Sequence, residues 1–411
     1  MRVLVINTGT EILLGDVLNT HLTFIAREIF PLGLRVERQI SVPDGDAIRD
    51  TLRENLERAD LIFVTGGLGP TTDDITREIT AELLGLELVA DPDLAASITE
   101  RLTSRGIRLT NRILRQAQVP RGALVLPNEH GSASGLYLAA ARNDGAATPH
   151  LFLLPGPPRE LHPMFLQSVL PILQQIVSQE RAIAYRNYRI VGMGESYVEE
   201  AVGAELLALS DLELGYCARM GEVDLRVIGS IEIIERADRI IRGRLENFIF
   251  TTGRENLETV IVRQLAARKA TLAVAESCTG GLLAHRLTNV PGASEVFLAG
   301  YVTYSNEAKT AALDVSPSAI AQHGAVSEPV ARAMAEGAQT KSGSIFALAT
   351  TGIAGPGGGS EAKPVGTAYI ALAGGGETVV KHLFFPTDRE TFKQLASQMA
   401  LNLLRERLTV L

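Results

Sequence analysis

Residues 271–309, TLAVAESCTGGLLAHRLTNVPGASEVFLAGYVTYSNEAK, decide how this chain folds. The stretch opens on a short apolar strand over 271–275 that ends at Glu276. The turn Ser277-Cys278-Thr279-Gly280-Gly281 then leads into an amphipathic helix. After a Pro291-Gly292 break comes Ser294, followed by a second strand over 296–303. That strand ends at Tyr304-Ser305-Asn306, where Asn306 reads as a helix N-cap and puts Lys309 in the first helical turn. Hydroxyls, one amine and backbone N–H groups are thus brought to strand ends, where α/β proteins keep their chemistry.

Outward from this stretch, the composition bounds the problem. The chain has 411 residues, 46% hydrophobic and 21% charged, with no Trp, as an ordinary globular protein of two or three domains would have. A net charge of −8 argues against a general nucleic-acid or anionic-membrane binder. Cys217 and Cys278 lie far apart and make neither a disulfide framework nor a metal cluster. The opening MRVLVINTGTE reads as a strand, not a signal peptide, and no apolar run reaches membrane-spanning length. A cytoplasmic location is the expectation.

Residues 1–172 alternate strand and helix in a parallel α/β pattern. Strands are expected at 3–6, 35–42, 61–64, near 124 and 136, and at 151–154. Helices are expected from Asn19 to about Phe30, after Pro43-Asp44-Gly45-Asp46, and from about Ile75. The third strand runs into Thr65-Gly66-Gly67-Leu68-Gly69-Pro70-Thr71-Thr72-Asp73-Asp74. Glycines between a strand and a helix let N–H groups converge on an anion, and the helix N-terminus adds partial positive charge. Asp73 and Asp74 could there hold a divalent metal bridging phosphate oxygens, or one of them could cap the helix.

Residues 182–252 change character, with strands at 189–191, 214–217 and 224–228 and helices at 196–209 and 233–250. Gly192-Met193-Gly194-Glu195 has one residue between its glycines, where an RNA-gripping KH loop has two, and Glu195, Glu199, Glu200 and Glu205 are acidic. A structural spacer, not an RNA binder, is expected.

For residues 255–411 the chemistry narrows by elimination. No HxxxH, HExxH or CxxC pattern suggests zinc, and His285 and His323 have no matching acid for a triad. Ser with Lys is the remaining pairing. A lysine base needs its charged form destabilised, by burial or by a helix N-terminus, because an ordinary lysine titrates only at about 10.4. Tyr304 could relay a proton or orient the amine. Taken alone, Y-S-N-x-x-K is only a strand end, a cap and a solvated lysine. Ser277 could attack, or could bind phosphate with Thr279, Gly280 and Gly281. Ser294 is the other candidate, or a cap. Cys278, near a helix start, is a rival nucleophile or a packing residue. Gly352, Ala354 and Gly355 lie in a loop that can wrap a ribose or nicotinamide, since glycines carry no Cβ.

The motifs also carry a resemblance. E-S-x-T-G-G at 276–281, G-A-S at 292–294, Y-S-N-x-x-K at 304–309, G-A-V-S-E at 324–328, T-G-I-A-G-P-x-G-G at 351–359 and K-P-V-G-T at 363–367 resemble the C-terminal domain of the CinA (competence/damage-inducible) family. Its family activity is deamidation of nicotinamide mononucleotide, without a cofactor. The resemblance implies Ser294 as nucleophile, Lys309 as base, Tyr304 beside them, Asn306 at the substrate and Arg389 on the substrate phosphate. G-T-E-x-L-L-G at 9–15, T-G-G-L-G-P-T-x-D-D at 65–74 and L-P-G-P-P-x-E at 154–160 resemble the family's N-terminal domain, of molybdopterin-binding-like three-layer fold, with ADP-ribose pyrophosphatase activity. Gly9, Thr10, Glu11, Thr65, Gly66, Gly67 and Gly69 would bind that substrate, and Asp73 and Asp74 a divalent Mg, Mn or Co ion. Asp16 stands where many members have Gln, an extra carboxylate that could alter metal preference. The middle segment resembles the small KH-like α+β module of full-length members. The resemblance thus implies a bifunctional pyridine-nucleotide hydrolase, a homodimer with nicotinamide mononucleotide and ADP-ribose as partners. A pterin-binding N-terminal module without hydrolysis, or a non-enzymatic partner of DNA-uptake machinery, are the rival expectations.

Overall fold

The computed structural model describes residues 1–411 except 105, 107, 144–145, 178–183 and 411, so the expected start of the middle segment at residue 182 lies outside the described residues. The chain divides into two compact units, Met1–Ile183 and Ala184–Leu411.

In the first unit a six-stranded sheet runs in the order Val36–Val42, Val3–Thr8, Leu61–Thr65, His150–Leu154, Gly135–Leu138, Leu124–Leu126. The first four strands are parallel and the last two antiparallel, so the parallel pattern holds only for one side of the sheet. Val3–Thr8 and Leu61–Thr65 are buried along their whole length. Leu4, Ile6, Ile62 and Val64 belong to one apolar cluster, while Val3, Val5, Leu61 and Phe63 belong to another. Alternate side chains therefore enter two cores, one on each face, which is what a parallel sheet sandwiched by helices requires. The helix expected from Ile75 runs Thr76–Leu83.

The second unit holds two sheets. The first is antiparallel, in the order Glu213–Arg219, Glu222–Gly229, Ala184–Val191, Ile249–Thr251. Helices Glu195–Leu207 and Ile231–Leu245 cover one face, packing Val198, Val202, Ile234 and Ile241 on Tyr188, Ile190, Leu225 and Val227. The helix expected over 233–250 stops at Leu245, and Ile249–Thr251 becomes an edge strand beside Ala184–Val191. Ile-Phe-Thr is a β-forming triplet, and sheet pairing decides against extending the helix.

The second sheet has five strands in the order Phe297–Val302, Leu272–Glu276, Phe346–Gly352, Thr367–Ala373, Val379–Phe384, the first three parallel and the last two antiparallel. Leu272 and Val274 enter one core, and Ala273 and Ala275 the other. The last helix, Arg389–Val410, buries Phe392, Ala396, Ala400, Leu404 and Leu408 along one face.

Candidate functional sites

The C-terminal site forms where the Leu272–Glu276 and Phe297–Val302 strands end side by side. Glu276 is fully buried. Its Oε2 accepts hydrogen bonds from Thr279 Oγ1 at 2.7 Å and from the N–H groups of Gly281 and Leu283 at 3.0 Å, and its Oε1 from Ala284 N at 2.8 Å. The carboxylate thus satisfies the orphan donors at the start of helix Leu282–Thr288, where a negative charge also suits the helix dipole. This corrects the phosphate cradle expected from Thr279 and Gly281. Thr279 is buried, bonded to Glu276 and to Thr350 Oγ1 at 2.7 Å, and the Gly281 N–H is taken.

Held by that turn, Ser277 faces Lys309. The Lys309 Nζ lies 3.0 Å from Ser277 Oγ and donates to the carbonyl oxygens of Thr303 at 2.8 Å and Tyr304 at 3.2 Å. Lys309 is 1% exposed. Its partners are all neutral oxygens, and burial lowers its pKa from the ordinary lysine value. The helix cap is Ser305, whose Oγ accepts from Ala308 N at 3.1 Å, so Asn306 is the first helical residue and is exposed.

Ser294 is not at this site. It sits exposed in the turn Ala293–Glu295, before the Phe297–Val302 strand, whereas Ser277 and Thr303 follow the ends of parallel strands. The six-residue strand puts roughly 20 Å between Ser294 and the edge that carries Lys309. The serine within reach of the amine is therefore Ser277, which overturns the pairing of Ser294 with Lys309. Cys278 is buried and its thiol is pushed up to about 12, chiefly by burial, so it stays protonated and serves packing.

Tyr304 touches the amine through its backbone carbonyl, not its hydroxyl. The ring is exposed, and Tyr304 Oη accepts from Arg389 Nη2 at 2.6 Å, while Arg389 Nη1 donates to Gly355 O at 2.9 Å. Asp388 does not pair with Arg389 but caps its helix, accepting from the Glu390 and Thr391 N–H groups at 3.0 Å. Gly352 and Gly355 have an internal reason to lack a side chain. A Cβ on Gly352 would lie 2.7 Å from Thr367 O, and one on Gly355 would lie 2.5 Å from Val365 Cγ1. Ala354 is buried.

The first unit's glycine turn is packed just as closely. A Cβ on Gly66 would collide with Thr8 Oγ1, and Thr76 Oγ1 donates to Gly66 O at 3.1 Å. Thr65 is buried and bonded to Asn7 Nδ2 at 2.8 Å and His21 Nδ1 at 3.2 Å. Gly67 and Gly69 follow it, with Thr76 and Asp74 close against the positions their side chains would take. Across the turn, Gly9 N donates to Val42 O at 3.1 Å and Thr10 N to Asp44 Oδ2 at 3.0 Å, while Thr10 and Glu11 are exposed. Neither Asp73 nor Asp74 caps helix Thr76–Leu83, whose N-cap is Ile75. Both instead accept from Thr71: Asp73 Oδ1 from its hydroxyl at 2.5 Å, and Asp74 Oδ2 from its N–H at 2.9 Å. The Thr71 hydroxyl is the main reason the Asp73 carboxyl titrates below its ordinary value. Among the described residues no group of three His, Cys, Asp or Glu side chains is arranged around a metal position. Two carboxylates on one turn still fit a hard cation that takes its other ligands from phosphate oxygens and water.

One cluster escaped the sequence reading. Glu160, of the L-P-G-P-P-x-E motif, is buried and accepts from Asn128 Nδ2 at 2.8 Å, while Asn128 Oδ1 accepts from His130 N at 3.0 Å and Gly131 N at 2.8 Å. A cleft of about 440 Å³ lies beside it, lined by Asp91, Arg101, Asn128, Glu129 and Ser132 among others. The signal available was Asn128 with Gly131 three residues later, an Asx-turn pattern.

The architecture is thus an α/β chain with a buried serine–lysine pair at the strand ends of its C-terminal sheet and a glycine-rich turn in its N-terminal one. The CinA C-terminal domain matches residues 254–408, and a probable molybdopterin binding domain matches residues 4–175. A CinA-like protein of Akkermansia muciniphila is 44% identical over 402 residues, covering 98% of this chain and 96% of that one. A protein of Moorella thermoacetica named as competence-damage inducible is 45% identical over 412 residues, covering 98% of each. A solved CinA superfamily protein from Escherichia coli covers 37% of this chain and 88% of its own at 37% identity, with a TM-score of 0.36. The chain belongs to the CinA family. Among the described residues no helix is long and apolar enough to cross a membrane.

Proposed function

We propose that the C-terminal site is an amidohydrolase acting on nicotinamide mononucleotide, with Ser277 as nucleophile and Lys309 as its base. The observation that carries this reading is the buried contact of 3.0 Å between Lys309 Nζ and Ser277 Oγ. A neutral amine has two N–H donors and one lone pair. With the Thr303 and Tyr304 carbonyls taking the donors, the lone pair is left for the Ser277 hydroxyl proton. Burial favours that neutral form.

Ser277 Oγ bonds the carboxamide carbon as its proton passes to Lys309. The lysine returns a proton to the nitrogen, the C–N bond breaks and ammonia leaves. Water, deprotonated by the same amine, cleaves the acyl ester to give nicotinate mononucleotide and free Ser277. Arg389 stands at the rim, where a guanidinium suits a phosphate. The substrate itself rests on the family resemblance. Ammonia release by the purified protein tests it: release should persist with chelator present, and zinc-dependent release would remove the Ser–Lys mechanism.

For the N-terminal unit we propose ADP-ribose cleavage, with Asp73 and Asp74 holding a divalent ion. The ion would neutralise charge on the leaving phosphate. Thr71 would position the two carboxylates. A nucleotide- or pterin-binding role without hydrolysis is favoured by one observation, that Thr71 already donates to both carboxylates. A cytoplasmic homodimer of three domains, with no nucleic-acid partner, completes the proposal.

A further inference from the structure

We infer that the strand Glu213–Arg219 is the surface on which a second copy of this chain docks, edge to edge about a two-fold axis. The inference rests on the homodimer proposed above and goes beyond it in naming the surface and its register. The strand lies at the outer edge of the antiparallel sheet, paired only with Glu222–Gly229 and without a bulge. Two residues, Met220 and Gly221, join the two strands, so Arg219 and Glu222 close the turn as a hydrogen-bonded pair. Antiparallel alternation then gives Arg219, Cys217, Gly215 and Glu213 to the inner ladder. It turns the N–H and C=O groups of Leu214, Tyr216 and Ala218 outward. Among the described residues those groups find no partner, apart from a long contact of Cys217 Sγ to Ala218 O at 3.9 Å. A straight edge of this kind is a template for another strand, and it carries neither proline nor bulge to block one.

The charges decide which strand fits. The only charged residues of the segment are Glu213 and Arg219, at its two ends, and both are exposed. When two copies align antiparallel with Tyr216 opposite its own counterpart, each Glu213 faces an Arg219, each Leu214 an Ala218 and each Gly215 a Cys217. Opposite charges placed directly across an antiparallel pair stabilise it. The same alignment puts Leu214, Tyr216 and Ala218 of both strands at hydrogen-bonded positions, so backbone and charge agree on one register. A slip by two residues keeps the backbone in phase but takes Glu213 away from Arg219. Arg219 donates through Nε to Asp224 at 2.6 Å, and a guanidinium has four further N–H donors for a carboxylate opposite. A two-fold axis repeats each of these contacts, which makes the edge complementary to itself.

Sedimentation equilibrium of the full-length protein tests the surface. Wild type should dimerise reversibly with concentration. Ala218→Pro removes an outward N–H and leaves the inner ladder intact, while Glu213→Lys turns attraction into repulsion and leaves the backbone alone. Because the axis doubles each change, the dimer dissociation constant should rise roughly 10-fold in either variant, at wild-type circular dichroism and deamidation rate. Added salt should weaken the wild-type dimer and strengthen that of Glu213→Lys. A short bis-maleimide should join the two copies through the exposed Cys217, and Cys217→Ser should abolish the link, since Cys278 is buried. A protein that stays monomeric at every concentration would overturn both the surface and the homodimer. A dimer unmoved by Glu213→Lys and not linked through Cys217 would overturn the surface and leave the homodimer standing.

Discussion

The two glycine-rich turns, at Thr65–Gly69 and at Ser277–Gly281, look alike in sequence and do opposite things with their carboxylates. After Glu276, the acid is buried, and its oxygens take four donors of the turn and helix that follow. After Thr65, Asp73 is exposed, Asp74 is half-buried, and both carboxylates lean on one threonine in a loop. The first carboxylate is spent on structure and leaves a dry serine–lysine pair beside it. The second pair leaves Asp73 open to solvent. A glycine turn therefore says little about chemistry until the fate of its nearest carboxylate is known.

The comparison is broken most severely at Lys309. Lys309→Met should lower deamidation by on the order of 10² to 10⁴ in kcat, with ADP-ribose cleavage unchanged. In wild type, kcat/KM should rise with pH through a pKa below that of an ordinary lysine, because the neutral amine is the active form. Stability carries the same signature. Between the lowered folded pKa and the unfolded value near 10.4, the unfolded chain binds the extra proton, so the lysine's contribution improves as pH rises across that window. Melting temperatures of wild type and Lys309→Met across alkaline pH would show it, and parallel curves would contradict it.

On the other side of the comparison, Asp73→Asn with Asp74→Asn should lower ADP-ribose cleavage by about 10²-fold if the pair holds a cation. Melting temperature should stay the same, since neither residue caps a helix. Retained cleavage would remove the cation role of these two carboxylates, and a wild-type protein that does not cleave ADP-ribose would make the N-terminal unit a binder.

Glu276→Gln sharpens the contrast. The amide cannot accept from all four donors, so about 2–3 kcal/mol of stability should be lost, read as a lower melting temperature of the C-terminal transition. Deamidation should weaken by roughly 10-fold, because the Ser277 turn loosens. Unchanged melting would show that the carboxylate is not what holds the turn.

The smallest effect belongs to Cys278. With its thiol pushed up to about 12, Cys278→Ala should keep activity within about twofold, and thiol reagents should not inactivate the folded protein. Rapid inactivation by such a reagent would make the cysteine a participant.

Much of this is legible in the sequence alone. The strands at 61–64 and 151–154 are readable because large apolar residues run unbroken up to a Thr-Gly or Pro-Gly turn, and their observed extents differ by a residue. Lys309 is not readable from its spacing, because Y-S-N-x-x-K by itself is a strand end, a cap and a solvated lysine, and only the family resemblance singles it out. The serine beside the amine is open to view yet easily misassigned. Ser294 precedes its strand and Ser277 follows its own, and in parallel strands those positions lie at opposite edges of the sheet. Direction along the strand, not proximity in sequence, decides which hydroxyl meets the amine. The helix cap at Ser305 escapes the sequence because Ser and Asn both suit that role and only backbone geometry separates them. Glu276 escapes as a structural acid because its four partners are mostly backbone N–H groups, which no residue pattern displays.

The central claim is that Ser277, held by Glu276 and facing Lys309, does the amide chemistry. Ammonia release from nicotinamide mononucleotide, measured side by side for Ser277→Ala and Ser294→Ala, tests it most directly. Ser277→Ala should lose on the order of 10² to 10⁴ in kcat, and Ser294→Ala should stay within about twofold of wild type. A dead Ser294→Ala beside an active Ser277→Ala would contradict it.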